Sequence, residues 1–331
     1  MEPPVRIYNV KVERCCAEKL RYTSVPEILN ATVVQPESAD LRQKLPACYD
    51  QGALGSCTAN ALVAAFQNLR AEFYGSRLFL YYNERLLEGS IPYDAGATLY
   101  DGVASLIKHG VCSESDWPYI ISKFAVQPPS QCYTNALLNR VITAANVPQN
   151  LYSMKASINA GYPFVIGFAV FASFESPQVS ATGMVPMPSL SERFLGGHAV
   201  LVVGYNDATQ RWIVRNSWGT GWGDRGYFYV PYAYFLNPIL SSDIWNISSV
   251  TVAPTPVTPV PAPAPAPAPP KPAPPKPKPA PPKPKPAPPK PKPAPPKPQP
   301  KPQPKPAPKP PPRPQPKPRL IDPKTGVPLR I

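Results

Sequence analysis

An α+β fold is what the pattern of residues between about 36 and 250 predicts, followed by a segment unable to build a core. Two observations predict the fold class and a third sets the boundary. Apolar residues recur with helical spacing after residue 57, at Ala59, Leu62, Val63, Phe66 and Leu69, and no Gly or Pro interrupts 57–73. Further helical stretches are expected over 78–87 and 100–109. The second half instead carries short apolar runs of strand length at 163–171, 198–204, 212–215 and 226–230. Composition then breaks near residue 250, because 38 of the 54 prolines fall in 251–331.

Proline at every second or third position excludes a helix beyond that break, so 251–319 is expected to be polyproline II or disordered. Lys-Pro-Ala-Pro-Pro-Lys-Pro occurs four times in tandem from Lys271 to Pro298. The same region holds 16 Lys and Arg against the single acid Asp322, so the chain's net +14 belongs to it and the rest carries −1. A spacer or an electrostatic tether to an anionic surface is the plain reading of 253–319. Each repeat also fits an SH3 ligand in one orientation, as in Lys271, Pro274 and Pro277. Aromatic residues do not alternate with the lysines, which argues against base stacking and sequence-specific nucleic-acid binding. The organisation expected is an arm at 1–35, a domain at 36–250, the tail at 251–319 and a more apolar tip at 320–331.

Four residues in the domain carry chemistry. Gln51 and Cys57 stand in Gln51-Gly52-Ala53-Leu54-Gly55-Ser56-Cys57-Thr58. His198 follows Gly196-Gly197 and precedes an apolar run, and Asn216 opens Asn216-Ser217-Trp218-Gly219-Thr220-Gly221-Trp222-Gly223. A thiol with an ordinary pKa of about 8.5 is a few per cent thiolate at neutral pH and needs a partner. Cys57 in the first turn of a helix would have the dipole and free N–H groups. His198 would take its proton, and the Asn216 carbonyl would hold the other ring nitrogen. Gln51 would donate to an oxyanion beside the Cys57 N–H.

These motifs, in this order, resemble the papain family (C1) of cysteine peptidases over residues 40–247. Asp40-Leu41-Arg42 is similar to the start of mature members, and Gly110-Val111 through Glu114 to Trp117-Pro118-Tyr119 is similar to the family's Gly-Leu/Ile…Glu…Tyr-Pro-Tyr segment. The style of the Gln51–Cys57 motif is closest to prokaryotic and large-DNA-virus members. The resemblance implies a helical lobe and an antiparallel β-barrel lobe, with Cys57 on one wall of a cleft and His198 and Asn216 on the other. It implies thiol-dependent endopeptidase activity through an acyl-thioester. Gly96 would lie on the strand that pairs with substrate, and Gly167 and Gly197 would line a specificity pocket without acids, favouring an apolar residue. Trp218 would shield the His–Asn hydrogen bond and Trp222 would flank the leaving-group side. Two departures are Leu54, where secreted members carry a disulfide cysteine, and Thr58, where many have Trp. The 35 residues before the domain are too few for a long inhibitory propeptide, and an arm packed on the domain surface is preferred to one crossing the cleft.

Other classes find little support. Six cysteines without a C-x-x-C pair and two histidines do not make a zinc site, and no cofactor is expected. A disulfide involving Cys48 or Cys132 is disfavoured, and the state of Cys112 is left open. No apolar stretch marks a signal peptide or a transmembrane helix, so a cytoplasmic setting is expected, or a host cytoplasm or virion if the chain is viral. Within the same site an aminopeptidase or transpeptidase remains open. The alternative from another class is a non-catalytic scaffold serving its tail.

Overall fold

In the computed structural model, residues 6–11 and 34–251 are described. The proline-rich tail, the 320–331 tip and the Cys15-Cys16 pair lie outside the described residues.

Three helices form the first half of the domain: α1 (Cys57–Leu69), α2 (Arg77–Leu87) and α3 (Leu99–Lys108). α1 is buried from Cys57 to Asn68, and ends at the last apolar residue of the pattern, four residues before the stretch free of Gly and Pro does. Exposed Ala71 and Glu72 then turn the chain toward α2, the Phe73 N–H donating to the Arg70 carbonyl. Gly75 permits that turn, since any side chain there would press on Val63 and Val111. Ser76 caps α2 by accepting from the Phe79 N–H, and Thr98 caps α3 in a reciprocal pair with Asp101.

The sheet is antiparallel in all its pairings. β1 (Ser38–Asp40) pairs with β4 (Phe194–Asn206), and the main order is β2 (Val141–Asn146), β7 (Ser241–Val250), β3 (Phe164–Phe171), β4, β5 (Arg211–Arg215) and β6 (Tyr227–Pro231). The strand runs expected at 163–171, 198–204, 212–215 and 226–230 are β3 to β6. Four further helices, which the sequence does not mark, are α4 (Ser130–Ala136) before β2, α5 (Leu151–Asn159) before β3, α6 (Pro177–Thr182) before β4 and α7 (Tyr232–Leu236) before β7. They are short, and α5 and α6 depend on the caps of Asn150 and Ser176 rather than on a long apolar stripe. β7 was also unmarked, because serines and a positive-φ Asp243 break its apolar pattern.

β4 divides the interior. Ala199, Leu201 and Val203 face the core built by α1 to α3, with Leu62, Phe66 and Val103, whereas Val200 and Val202 join Phe168, Trp212 and Phe228 beyond the sheet. A strand buried on both faces must be apolar at consecutive positions, which is the run from Ala199 to Val203. Among the described residues, no helix is long and apolar enough to cross a membrane.

Leu201 tests this division. Leu201→Ala leaves a hole between β4 and the helices, and it should lower unfolding stability by about 2–5 kcal/mol, read from the midpoint of a denaturant titration.

Candidate active site

Cys57 is the first residue of α1, and its side chain is buried. N–H groups of Ala199, Thr58 and Cys57 itself favour the thiolate, but burial outweighs them and pushes the thiol up to about 12. Ala199 follows His198 on β4, so the contact between the sulfur and the Ala199 N–H brings the two chain segments together. The strand sequence Gly197-His198-Ala199 thus places an imidazole beside a helix N-terminus 141 residues away.

His198 is fully buried, and its ring stacks on Trp218 with centroids 5.2 Å apart. Its Nε2 lies 2.9 Å from Asn216 Oδ1, which also accepts from the Ser217 N–H at 2.8 Å. The Ser217 bond fixes the amide so that oxygen faces the ring, and Nε2 must therefore be the protonated nitrogen. Nδ1 has no hydrogen-bond partner and keeps its lone pair. Burial and the nearby Arg6 guanidinium push the imidazole down to about 4, against the opposing pull of Asn216.

Gln51 is pinned across the two halves of the domain. Its backbone N–H donates to Ser217 O at 2.8 Å, its Oε1 accepts from Ser217 Oγ at 2.5 Å, and its Nε2 donates to Leu54 O at 2.8 Å. One amide hydrogen of Nε2 is left. Trp218 covers the His198–Asn216 pair, and Trp222 packs edge-on against Trp218 at 4.9 Å. Gly167 and Gly197 line a cavity of about 600 Å³ with Phe168, Phe194, Ser242 and Val10, and none of the lining groups is charged. Thr58 donates to buried Glu84 at 2.7 Å, and burial raises that carboxyl well above its usual range. A buried carboxyl thus takes up the Thr58 hydroxyl.

The arm is where the sequence reading was wrong. Residues 6–11 do not pack on an outer surface; they run through the cleft. Asn9 bridges to Gly197, the Val10 N–H donates to Gly197 O at 3.2 Å, and the Lys11 N–H donates to Ala97 O at 3.1 Å. Asn9 Nδ2 donates to Asp94 O at 2.9 Å. Tyr8 meets both His198 and Trp218 edge-on, and Arg6 lies 4.6 Å above the Trp218 ring. Ion pairs of Lys11 with Glu88 and of Arg6 with Asp50, and a Tyr8–Glu175 hydrogen bond, tie the arm down at both ends. Gly96, at φ +68°, is where the Asn9 backbone comes closest, and a β-carbon there would collide with it. Six residues carry too little periodicity for the sequence to say what they cover.

Cys48, Cys57, Cys112 and Cys132 are all free thiols, and the described residues hold no cluster of three metal-binding side chains.

The model of the papain family cysteine proteases matches residues 35–235, a span that holds Gln51, Cys57, His198 and Asn216. The chain belongs to this family. A peptidase C1-like protein of Acanthamoeba polyphaga mimivirus is 41% identical over 247 residues, covering 70% of this chain and 79% of its own length. Cysteine proteinase 2 of Entamoeba histolytica is 31% identical over 67% of this chain and 69% of its own. The solved structure of xylellain, a cysteine protease from Xylella fastidiosa, superposes with a TM-score of 0.66 at 37% identity, covering 73% of this chain and 96% of xylellain. This papain-family chain is a cysteine-type peptidase with a papain-like fold, and its chemistry is thiol-dependent peptide hydrolysis.

The buried pair sets a pH signature. With the arm in place, Cys57 alkylation should be slow at pH 7 and rise about tenfold per pH unit without levelling by pH 9, because the thiolate is scarce below about 12. Tyr8→Ala with Val10→Asp, which weakens the arm, should bring fast alkylation near neutral pH. Rates from mass spectrometry decide between them.

Proposed function

We propose that this papain-family peptidase is an endopeptidase working through an acyl-thioester on Cys57 and held silent by its own arm. The single observation that carries the catalytic assignment is the His198 Nε2–Asn216 Oδ1 hydrogen bond, which leaves Nδ1 unpartnered. Nε2–H is committed to Asn216, so the free Nδ1 is the base available to the thiol on the adjoining helix. Cys57 attacks the scissile carbonyl while its proton passes to His198. The oxyanion lies between Gln51 Nε2 and the Cys57 N–H, and His198 then returns the proton to the leaving amine. Water, deprotonated by His198, opens the thioester.

Self-inhibition follows from the direction of the arm. With Gly96 on the acyl side of the cleft and Trp222 on the leaving-group side, substrate runs from the former to the latter. The arm runs the other way, with Arg6 at Trp218 and Lys11 at Ala97. Its carbonyls therefore do not offer the sulfur a productive approach. It also packs Tyr8 against the His198 ring and sets a guanidinium near the imidazole, disfavouring the imidazolium of a thiolate–imidazolium pair.

Val10 lies in the uncharged cavity of Gly167 and Gly197, which supports a preference for an apolar residue there. The tail reading is a cytoplasmic spacer or tether whose repeats take an anionic surface or an SH3-like domain, supported by its charge and its Lys-x-x-Pro-x-x-Pro spacing.

The test is intact-mass labelling with a peptidyl epoxysuccinate near neutral pH. The Tyr8→Ala/Val10→Asp chain should take up one equivalent, the parent chain far less, and the same double variant carrying Cys57→Ala none. Equal labelling of parent and arm variant would reject self-inhibition, and no labelling of either would reject the open catalytic site. On a peptide library the arm variant should select an apolar side chain two residues before the cleaved bond; preference for Arg there would overturn the pocket assignment.

A further inference from the structure

We propose that Tyr119 is a positioning residue for the oxyanion hole, with its hydroxyl setting the spacing between the two donors. The inference rests on the assignment of Gln51 and the Cys57 N–H as those donors. Tyr119 Oη donates to the Gln51 carbonyl at 3.0 Å and lies 2.5 Å from Ser56 Oγ, on the residue bonded to Cys57. A single hydroxyl therefore touches the chain at both ends of the 51–57 loop.

The protons have one consistent order. Asn60 Nδ2 donates to Ser56 Oγ at 3.0 Å, Ser56 Oγ–H donates to Tyr119 Oη, and Tyr119 Oη–H donates to Gln51 O. The Asn60 amide is oriented because its Oδ1 accepts from Arg77 Nη1 at 3.2 Å. The same Nη1 is 3.4 Å from the Asp50 carbonyl, beside Gln51. Nη2 is ion-paired with Glu114 at 3.1 Å, and Glu114 in turn accepts from the Tyr119 N–H at 2.8 Å. The guanidinium lies over the Tyr119 ring at 4.2 Å and over Tyr49 at 4.7 Å. A buried cation thus fixes both the ring and the amide that aim the hydroxyl chain.

Nothing in this network makes a hydrogen bond to Cys57 Sγ or to the His198 ring. Its influence is on where Gln51 and the Cys57 N–H sit relative to each other. An oxyanion hole works only at hydrogen-bond distance from the developing charge, and loss of one donor costs about a hundred- to a thousandfold in kcat. Loosening the frame that holds the donors is a smaller fault.

Tyr119→Phe tests this in the full chain carrying Tyr8→Ala and Val10→Asp. It deletes the hydroxyl and keeps the ring against Arg77. The expected result is a fall in kcat of about tenfold with KM changed by less than about twofold. Affinity for a peptide aldehyde, whose hemithioacetal places an oxygen in the hole, should weaken by a factor similar to the fall in kcat. Iodoacetamide alkylation of Cys57, which develops no oxyanion, should keep its rate and pH profile. Ser56→Ala should act in the same direction, and the double variant should lose less than the product of the two single effects.

Unchanged kcat and aldehyde affinity would overturn the assignment. So would an alkylation rate that fell in step with kcat, because that result means general loosening of the site. If the arm-weakened parent turned over no peptide while Cys57 still alkylated readily, the peptidase assignment itself would fail and this one with it.

Discussion

Burial of β4 on both faces is the constraint from which the rest of the site follows. Ala199, Leu201 and Val203 seal the helical core, while Val200 and Val202 seal the other side. A strand so placed has no freedom to slide, since a shift of one residue would exchange its two faces. His198 and Ala199 therefore arrive at the start of α1 in fixed register, one bringing the imidazole and the other an N–H for the Cys57 sulfur. The seam is closed again by Gln51 and Ser217, so the site is assembled from both halves of the domain at once.

Water exclusion has two opposite uses here. Trp218 against His198 covers the hydrogen bond that orients the imidazole. The arm adds Tyr8 and Arg6 to the same aromatic cluster, and the Arg6 guanidinium joins burial in disfavouring the imidazolium, while burial alone holds the thiol in its neutral form. Partial shielding keeps geometry, whereas complete shielding removes charge. The described part of the arm, six residues, is held by two backbone hydrogen bonds and four polar side-chain contacts.

Gln51, Cys57, His198 and Asn216 were legible because each stands in a dense local motif with its own reason to exist. α1 to α3 and β3 to β6 were legible because their apolar residues recur at helix or strand period. What escaped notice depends on partners distant in sequence. Tyr119 gains its place from Arg77 and Glu114, and Ser217 from Gln51. The contact of Thr58 with Glu84 has no trace in either neighbourhood. The arm is the clearest case, because a segment of Arg, Tyr, Asn and Val reads equally well as a surface strand until the cleft that receives it is known. Short capped helices such as α5 were lost for a simpler reason: two turns do not establish a period.

Gly55, Gly96, Gly196 and Gly197 all face the arm without room for a β-carbon, and each would collide with Tyr8, Asn9 or Val10 if it carried one. On the proposed path of substrate, Gly96 and Gly197 would also bound the channel taken by an extended peptide. Mutational drift therefore has an asymmetric choice. Enlarging either glycine would evict the arm, but it would narrow the channel for every other chain as well. Changes at residues 6–11 loosen the arm alone. If the proposed self-inhibition holds, variation that tunes its strength is thereby directed into the arm rather than into these glycines.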